Sequence, residues 1–351
     1  MAKISNLFRE KVYIFNKPRE VFESEKEIIS LIFKDLDFKI KSIDFVDANL
    51  HNDLFKINTD YANFYLKFSL EKDSKIFKES DFLWLNFHNQ IVPKICKEGE
   101  LKEFNNLKYN IISSMEIENL REAGISECFV NEGSIPYFLN QMSKLNIDTI
   151  KNETITDYLK FYLEFDILKV PDVQFDSLES SPIIKNLVKK QVVVLQNILK
   201  EKLTKINFKT DDFCHGNLNP STILCNGDFL KCINFENAYA GDFLFEILNL
   251  KYELFYDHSI ENNIIEIFNK IANKPLELSK LKEYREFSCY FNLLKICVDY
   301  LQQVFILKSQ RQDKILNLAI KFSKNYENFY QLPDFEKNFK PIAELFVESV
   351  I

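Results

Sequence analysis

Two short polar clusters hold the residues of this chain best suited to chemistry. One runs from Cys214 to Thr222 and includes His215, Gly216 and Asn217; the other is Ile233-Asn234-Phe235-Glu236. Between them, Asn226-Gly227 separates two apolar runs, Thr222 to Cys225 and Phe229 to Phe235. That dipeptide supplies the positive φ angles of a type I′ turn, so the spacing predicts a β-hairpin that sets the two clusters side by side. Downstream, Asp242 is placed as the N-cap of a helix over Phe243 to Leu250. The side chains gathered at the hairpin's ends include an imidazole, three amides, two hydroxyls, a thiol and one carboxylate. Such a set orients polar groups well, but amides and hydroxyls carry no formal charge and an amide is no proton-accepting base.

The stretch resembles the aminoglycoside phosphotransferase and choline kinase family, whose signature runs H-G-D-x-x-x-x-N, a hairpin, I-D-[FW]-E, then G-D. His215, Gly216, Pro220, Ile223, Leu224, Ile233, Phe235, Glu236, Ala238, Gly241 and Asp242 fall on that pattern. Three positions depart from it. Asn217 stands at the family's catalytic Asp, Thr222 at its metal-binding Asn and Asn234 at its metal-binding Asp. The resemblance covers roughly residues 40–260 and implies an α+β, two-lobed, protein-kinase-like fold. A small mixed strand-and-helix lobe with a leading helix is expected over 1–114, and a larger, mainly helical lobe over 115–351. His215 is implied to be loop scaffold, and Asp242 to cap its helix and brace the catalytic loop.

The upstream sequence has the order such a lobe requires. Residues 19–36 show helical periodicity, with Phe22, Ile29, Leu31, Ile32 and Phe33 on an apolar face. The period then changes to two, predicting strands from Phe38 to Phe45, Leu54 to Ile57 and Phe64 to Phe68. A helix follows at 74–89, then strands at Val92–Ile95 and Leu107–Ser113. Lys67 on the third strand resembles the family's phosphate-orienting lysine, and Glu79 on the helix resembles its ion-pair partner. Met115, Glu116 and Ile117 fall at the expected hinge, where backbone groups meet an adenine edge. The phosphate loop between the first two strands, around Asp47, Asn49, Asn52 and Asp53, has no glycine, and Gly99 is the first in the chain. Further helices are predicted at 135–145, 154–168, 183–203, 243–256, 260–271, 277–307, 311–329 and 336–349. Aromatics along 284–305 read as core.

The three departures bear on phosphoryl transfer, which needs phosphates held in line, their charge neutralised and a base beside the attacking hydroxyl. Losing a general base typically lowers a rate by about 10²–10⁴. A hard Mg²⁺ ion prefers carboxylates, and neither Thr222 nor Asn234 supplies one. Glu236 is the candidate substitute, although residues two apart on a strand differ in reach. Scaffolding residues are kept where charged catalytic ones are not, which favours a pseudokinase that still binds ATP or another nucleotide, with Mg²⁺ held weakly. The alternatives are a divergent small-molecule kinase assisted by Glu236 or Asp228, and a structural protein that holds a protein partner without nucleotide. A cationic or hydroxylated small molecule is the implied second ligand.

Composition sets outer bounds. The 351 residues can bury a sizeable core. A net charge of −7 argues against a general nucleic-acid binder. No apolar stretch approaches the ~18 residues of a membrane span, and the amino terminus lacks a signal-peptide apolar segment, so a cytoplasmic location is expected. The seven cysteines form no C-x-x-C pair and read as reduced, buried thiols, with Cys225 and Cys232 placed to approach across the hairpin.

Overall fold

The period-two stretches of the first hundred residues close into one antiparallel sheet. The structure, a computed structural model, describes residues 20–48, 52–69, 74–113, 118–119, 134–170, 182–220, 222–226, 229–255, 257–302, 312–333 and 335–341. Helix α1 (Glu23–Phe33) leads, followed by strands β1 (Ile40–Ala48), β2 (Asp53–Thr59) and β3 (Asn63–Ser69), helix α2 (Ile76–Leu85), and strands β4 (Ile95–Leu101) and β5 (Leu107–Ser113). The sheet order is β1-β2-β3-β5-β4. Alternation along β3 gives it two jobs. Phe64, Leu66 and Phe68 pack with Ile29, Ile32 and Phe33 of α1. Tyr65 faces the other way and joins Phe82 of α2 in the main core. Lys67 shares that second face.

The remainder is mainly helical. A two-residue strand, β6 (Glu118–Asn119), precedes α3 (Ser134–Met142), α4 (Ile155–Leu163) and α5 (Pro182–Leu203). Then come β7 (Asp212–Cys214), the hairpin β8 (Ile223–Asn226) and β9 (Phe229–Cys232), β10 (Tyr239–Gly241) and α6 (Phe243–Leu250). Helices α7 (His258–Ile271), α8 (Leu281–Leu301), α9 (Gln312–Lys324), α10 (Tyr326–Tyr330) and α11 (Phe335–Asn338) complete the described chain. β6 pairs with β8, and β7 with β10, so the two loops that carry the polar clusters leave neighbouring strand ends. Tyr284, Phe287, Tyr290, Phe291 and Tyr300 are buried in the core. None of the described helices is long and apolar enough to cross a membrane.

Several sequence expectations need correction. The strand expected at Val92–Ile95 begins only at Ile95, because Pro93 has no N–H and the Val92 N–H is committed to a turn bond with Asn89 O at 3.2 Å. Phe22 and Leu31 lie on the exposed side of α1 or its cap, not in its apolar face. Asn226 pairs with Phe229, so the hairpin connection falls at 227 and 228, one residue later than predicted and outside the described residues. The same register sets Cys225 against Leu230 and Cys232 against Ile223, so the two cysteines are not directly opposed. Helix α6 runs on as a π-helical turn, Lys251–Phe255. Phe305 and the stretch from 342 on lie outside the described residues, as do Asn49 and Asp228.

Phe82 joins the two parts of the molecule. Its fully buried ring stacks on Phe213 at 5.2 Å and on Phe235 at 5.1 Å, linking α2 to the strand and loop on either side of the hairpin. Phe82→Ala should destabilise the protein by about 3–5 kcal/mol, the usual range for removing a buried phenylalanine. Urea denaturation of parent and variant checks this; a loss under about 1 kcal/mol would mean that the stack does not join the two parts.

Candidate active site

Lys67 lies mid-strand in β3, opposite Leu54 of β2 and Asn110 of β5. Its Nζ reaches Glu79 Oε2 of α2 at 2.7 Å, and both side chains are almost fully buried. Asn110 Nδ2 also donates to Glu79 Oε2, at 3.3 Å. The other carboxylate oxygen, Glu79 Oε1, accepts the Phe235 N–H at 2.8 Å. One glutamate thus joins strand, helix and the loop after the hairpin. Burial by itself lowers the Lys67 pKa, but the Glu79 and Glu236 carboxylates outweigh it and hold the ammonium above its ordinary value.

The loop after β9 behaves differently from the expected strand. Asn234 takes a left-handed backbone (φ 72°, ψ 58°), which asparagine tolerates better than most residues, and a 3₁₀ turn over Phe235–Asn237 follows. That kink brings both polar side chains to one point. Asn234 Oδ1 accepts from Lys67 Nζ at 2.6 Å, and Glu236 Oε2 stands 3.6 Å from the same nitrogen. The strand geometry that made Glu236 a poor partner for position 234 therefore does not apply. Glu236 also accepts a hydrogen bond from Asn52 Nδ2, between β1 and β2, and Asn52 Oδ1 accepts from Ser74 Oγ at 3.3 Å.

On the other side of the hairpin, His215 is a fixed strut. Its Nε2–H donates to Ile233 O at 3.0 Å, and its Nδ1 accepts the Asn217 N–H at 3.2 Å, which requires a neutral ring. Burial pushes its pKa down to about 3. Gly216 has φ +77°, and a Cβ there would lie 2.4 Å from Asn237 O, so only glycine fits. Thr222 Oγ1 donates to Asn217 O at 3.0 Å or Asn219 O at 3.1 Å, and accepts the Asn219 N–H at 3.0 Å. It braces the loop it sits on. Asp242 caps α6 by accepting the Leu244 N–H at 3.1 Å, and its second oxygen accepts from Tyr284 OH at 2.8 Å.

Glu246 escaped the reading of the sequence. It is buried on α6, one turn after the cap, and Oε2 accepts the Gly216 N–H at 3.3 Å. Burial pushes its pKa up to about 7, against the pull of those backbone donors and Lys295. A cavity of about 10 Å³, room for about one water, lies beside Asn217 against Tyr158, Glu246, Asn292 and Lys295. Met115, Glu116 and Ile117 lie outside the described residues.

A divalent cation does not fit the described residues as they stand. No three His, Cys, Asp or Glu side chains gather among them. Asn234 Oδ1 is engaged by Lys67, and the Thr222 hydroxyl is spent within its own loop. Lys67 is a positioned ammonium, buried and already engaged by Glu79 and Asn234.

Neither a protein-family model nor a curated protein matches the sequence. Solved structures do. A spectinomycin phosphotransferase bound to ADP and spectinomycin superposes with a TM-score of 0.59 at 12% identity, covering 92% of this chain and 98% of that chain. The chain shares the kinase-like fold of these phosphotransferases. Choline kinase LicA from Streptococcus pneumoniae matches at TM-score 0.53 and 15% identity, over 85% of this chain and all of that chain (100%). A thermostable mutant of aminoglycoside phosphotransferase APH(4)-Ia, in ternary complex with AMP-PNP and hygromycin B, matches at 0.55 and 10%, over 85% of this chain and 97% of that chain.

The depressed pKa of His215 has a stability consequence of definite sign. Below its ordinary value of 6.5 the unfolded chain binds a proton that the folded chain refuses, so stability present above that pH drains as pH falls toward 3. His215→Gln should remove about 2–3 kcal/mol of the loss seen between about pH 6.5 and 4.5. Glu246 acts in the opposite sense over about the same window, but in both proteins, so the difference between them isolates His215. Urea denaturation across this range provides the measurement, and superimposable profiles would refute the assignment.

Proposed function

We propose that this chain is a nucleotide-binding pseudokinase of the aminoglycoside phosphotransferase and choline kinase type. The observation that carries this reading is a contrast within one cleft. The Lys67–Glu79 pair is formed at 2.7 Å, while positions 217, 222 and 234 hold an amide, a hydroxyl and an amide. The ammonium suits phosphate binding. Transfer, however, lacks a carboxylate beside the acceptor and a charged ligand for a cation. The loop scaffold is well bonded around His215, Gly216 and Asp242, which supports a retained binding role.

A second reading is a divergent active kinase, and one observation favours it. Glu236 converges on the same nitrogen as Asn234, so a carboxylate stands beside the position that is a metal ligand in the family. Thermal unfolding with ATP, with and without Mg²⁺, separates the readings. Stabilisation independent of Mg²⁺ supports the pseudokinase; Mg²⁺-dependent stabilisation with turnover supports the kinase; no stabilisation favours a protein that only holds a partner.

Restoring charges should act in a fixed order. Asn234→Asp should bring Mg²⁺-dependent nucleotide binding, because it returns a charged ligand to a hard cation. Asn217→Asp alone should change little, and the double variant should gain far more turnover than the single changes combined. Calorimetry with Mg-nucleotide and a turnover assay on all four proteins check this. Robust Mg²⁺-dependent turnover by the parent would overturn the pseudokinase reading.

A further inference from the structure

The Lys67 ammonium is fully engaged by its own chain. Glu79 Oε2 at 2.7 Å and Asn234 Oδ1 at 2.6 Å take two directions, and Glu236 Oε2 stands at 3.6 Å in a third. Glu236 does not sit there by chance. Asn52, the residue before β2, donates to that same oxygen, and Ser74 in turn donates to Asn52. Lys67, Asn52 and Glu236 are all below one-tenth exposed. A phosphate arriving at Lys67 would therefore meet a buried carboxylate already in place, and like charges at close range in a dry site repel strongly.

We propose that Glu236, latched by Asn52, gates the phosphate end of the cleft: phosphate reaches Lys67 only when this carboxylate is released or neutralised. The gate ties the start of β2 to the loop after the hairpin. It makes Glu236 a specificity determinant, since a ligand must displace a negative charge before it can use the positive one. The proposal rests on the reading of this cleft as a nucleotide site.

The test is calorimetric titration of ATP and of inorganic tripolyphosphate, in EDTA, into the parent, Glu236→Gln, Asn52→Ala and the Glu236→Gln, Lys67→Ala double variant. Glu236→Gln keeps the shape and removes the charge, so both ligands should bind at least about tenfold tighter than to the parent, the size expected for lifting one close like-charge contact. Asn52→Ala frees the carboxylate without neutralising it and should give a smaller gain of the same sign, about two- to fivefold. The gain should vanish in the double variant. If Glu236→Gln does not fold, Asn52→Ala carries the test by its sign. Unchanged or weaker binding in the single variants, a gain that survives loss of Lys67, or no binding by any protein would each overturn the gate. A gain for tripolyphosphate with no preference for ATP would uphold the gate and overturn the nucleotide reading. ATP binding by the parent without a gain in the variants would do the reverse.

Discussion

The buried pairing of Lys67 with Glu79 is the constraint that the rest of the cleft obeys. Two charges taken from water at 2.7 Å are tolerable only with good geometry and satisfied hydrogen bonds. Each requirement is met from a different element. β3 turns Lys67 to the face opposite Phe64, Leu66 and Phe68; α2 presents Glu79; β5 contributes Asn110; and the loop after the hairpin offers the Phe235 N–H. Shifting β3 by one residue would turn Lys67 into the apolar layer against α1. The position of the 234–236 loop is thus set by the same glutamate that holds the lysine.

Around that pair, a bonded loop frame stands beside a separate set of groups that face Lys67. The frame is intact: a neutral imidazole between two backbone groups, a glycine where no side chain fits, a helix cap held by a tyrosine hydroxyl, and a buried glutamate under the loop. Positions 217, 222 and 234 carry two amides and a hydroxyl, and the Glu79 and Glu236 carboxylates face Lys67. The cleft is consequently balanced by its own side chains. A group arriving at Lys67 must replace interactions that the ammonium already makes.

How much of this the sequence carried depended on whether local pattern decided the outcome. β5 was legible from Leu107 to Ser113 because apolar residues and flanking turns agree, and Asp242 was legible because a cap before an apolar run has few other uses. β4 was obscured by its composition: Ile95 to Leu101 carries charges at 97, 98 and 100 and a glycine at 99, so neither face looks apolar. The direction of Glu236 was hidden for another reason. It depends on one backbone angle at Asn234, and asparagine permits a left-handed turn without requiring it. Glu246 was one acidic residue among 52; its spacing of four from Asp242, one helical turn, was the available signal.

The fastening of α2 has a mechanical consequence. Besides Glu79, its end is bound to the helical part by a reciprocal amide pair: Asn86 Nδ2 donates to Asn146 O at 3.0 Å, and Asn146 N–H to Asn86 Oδ1 at 2.8 Å. Lys78 donates to Ala238 O at 3.0 Å, and just beyond the helix Ile91 O accepts the Cys232 N–H at 2.9 Å. These bonds bolt α2 to the larger lobe although it is encoded between two strands of the smaller one. A hinge opening that preserves them must slide the sheet across α2 rather than carry the helix along, a shear instead of a clamshell. Lys67–Glu79 and Asn110–Glu79 both lie across that surface, so such a slide would have to stretch or break them together.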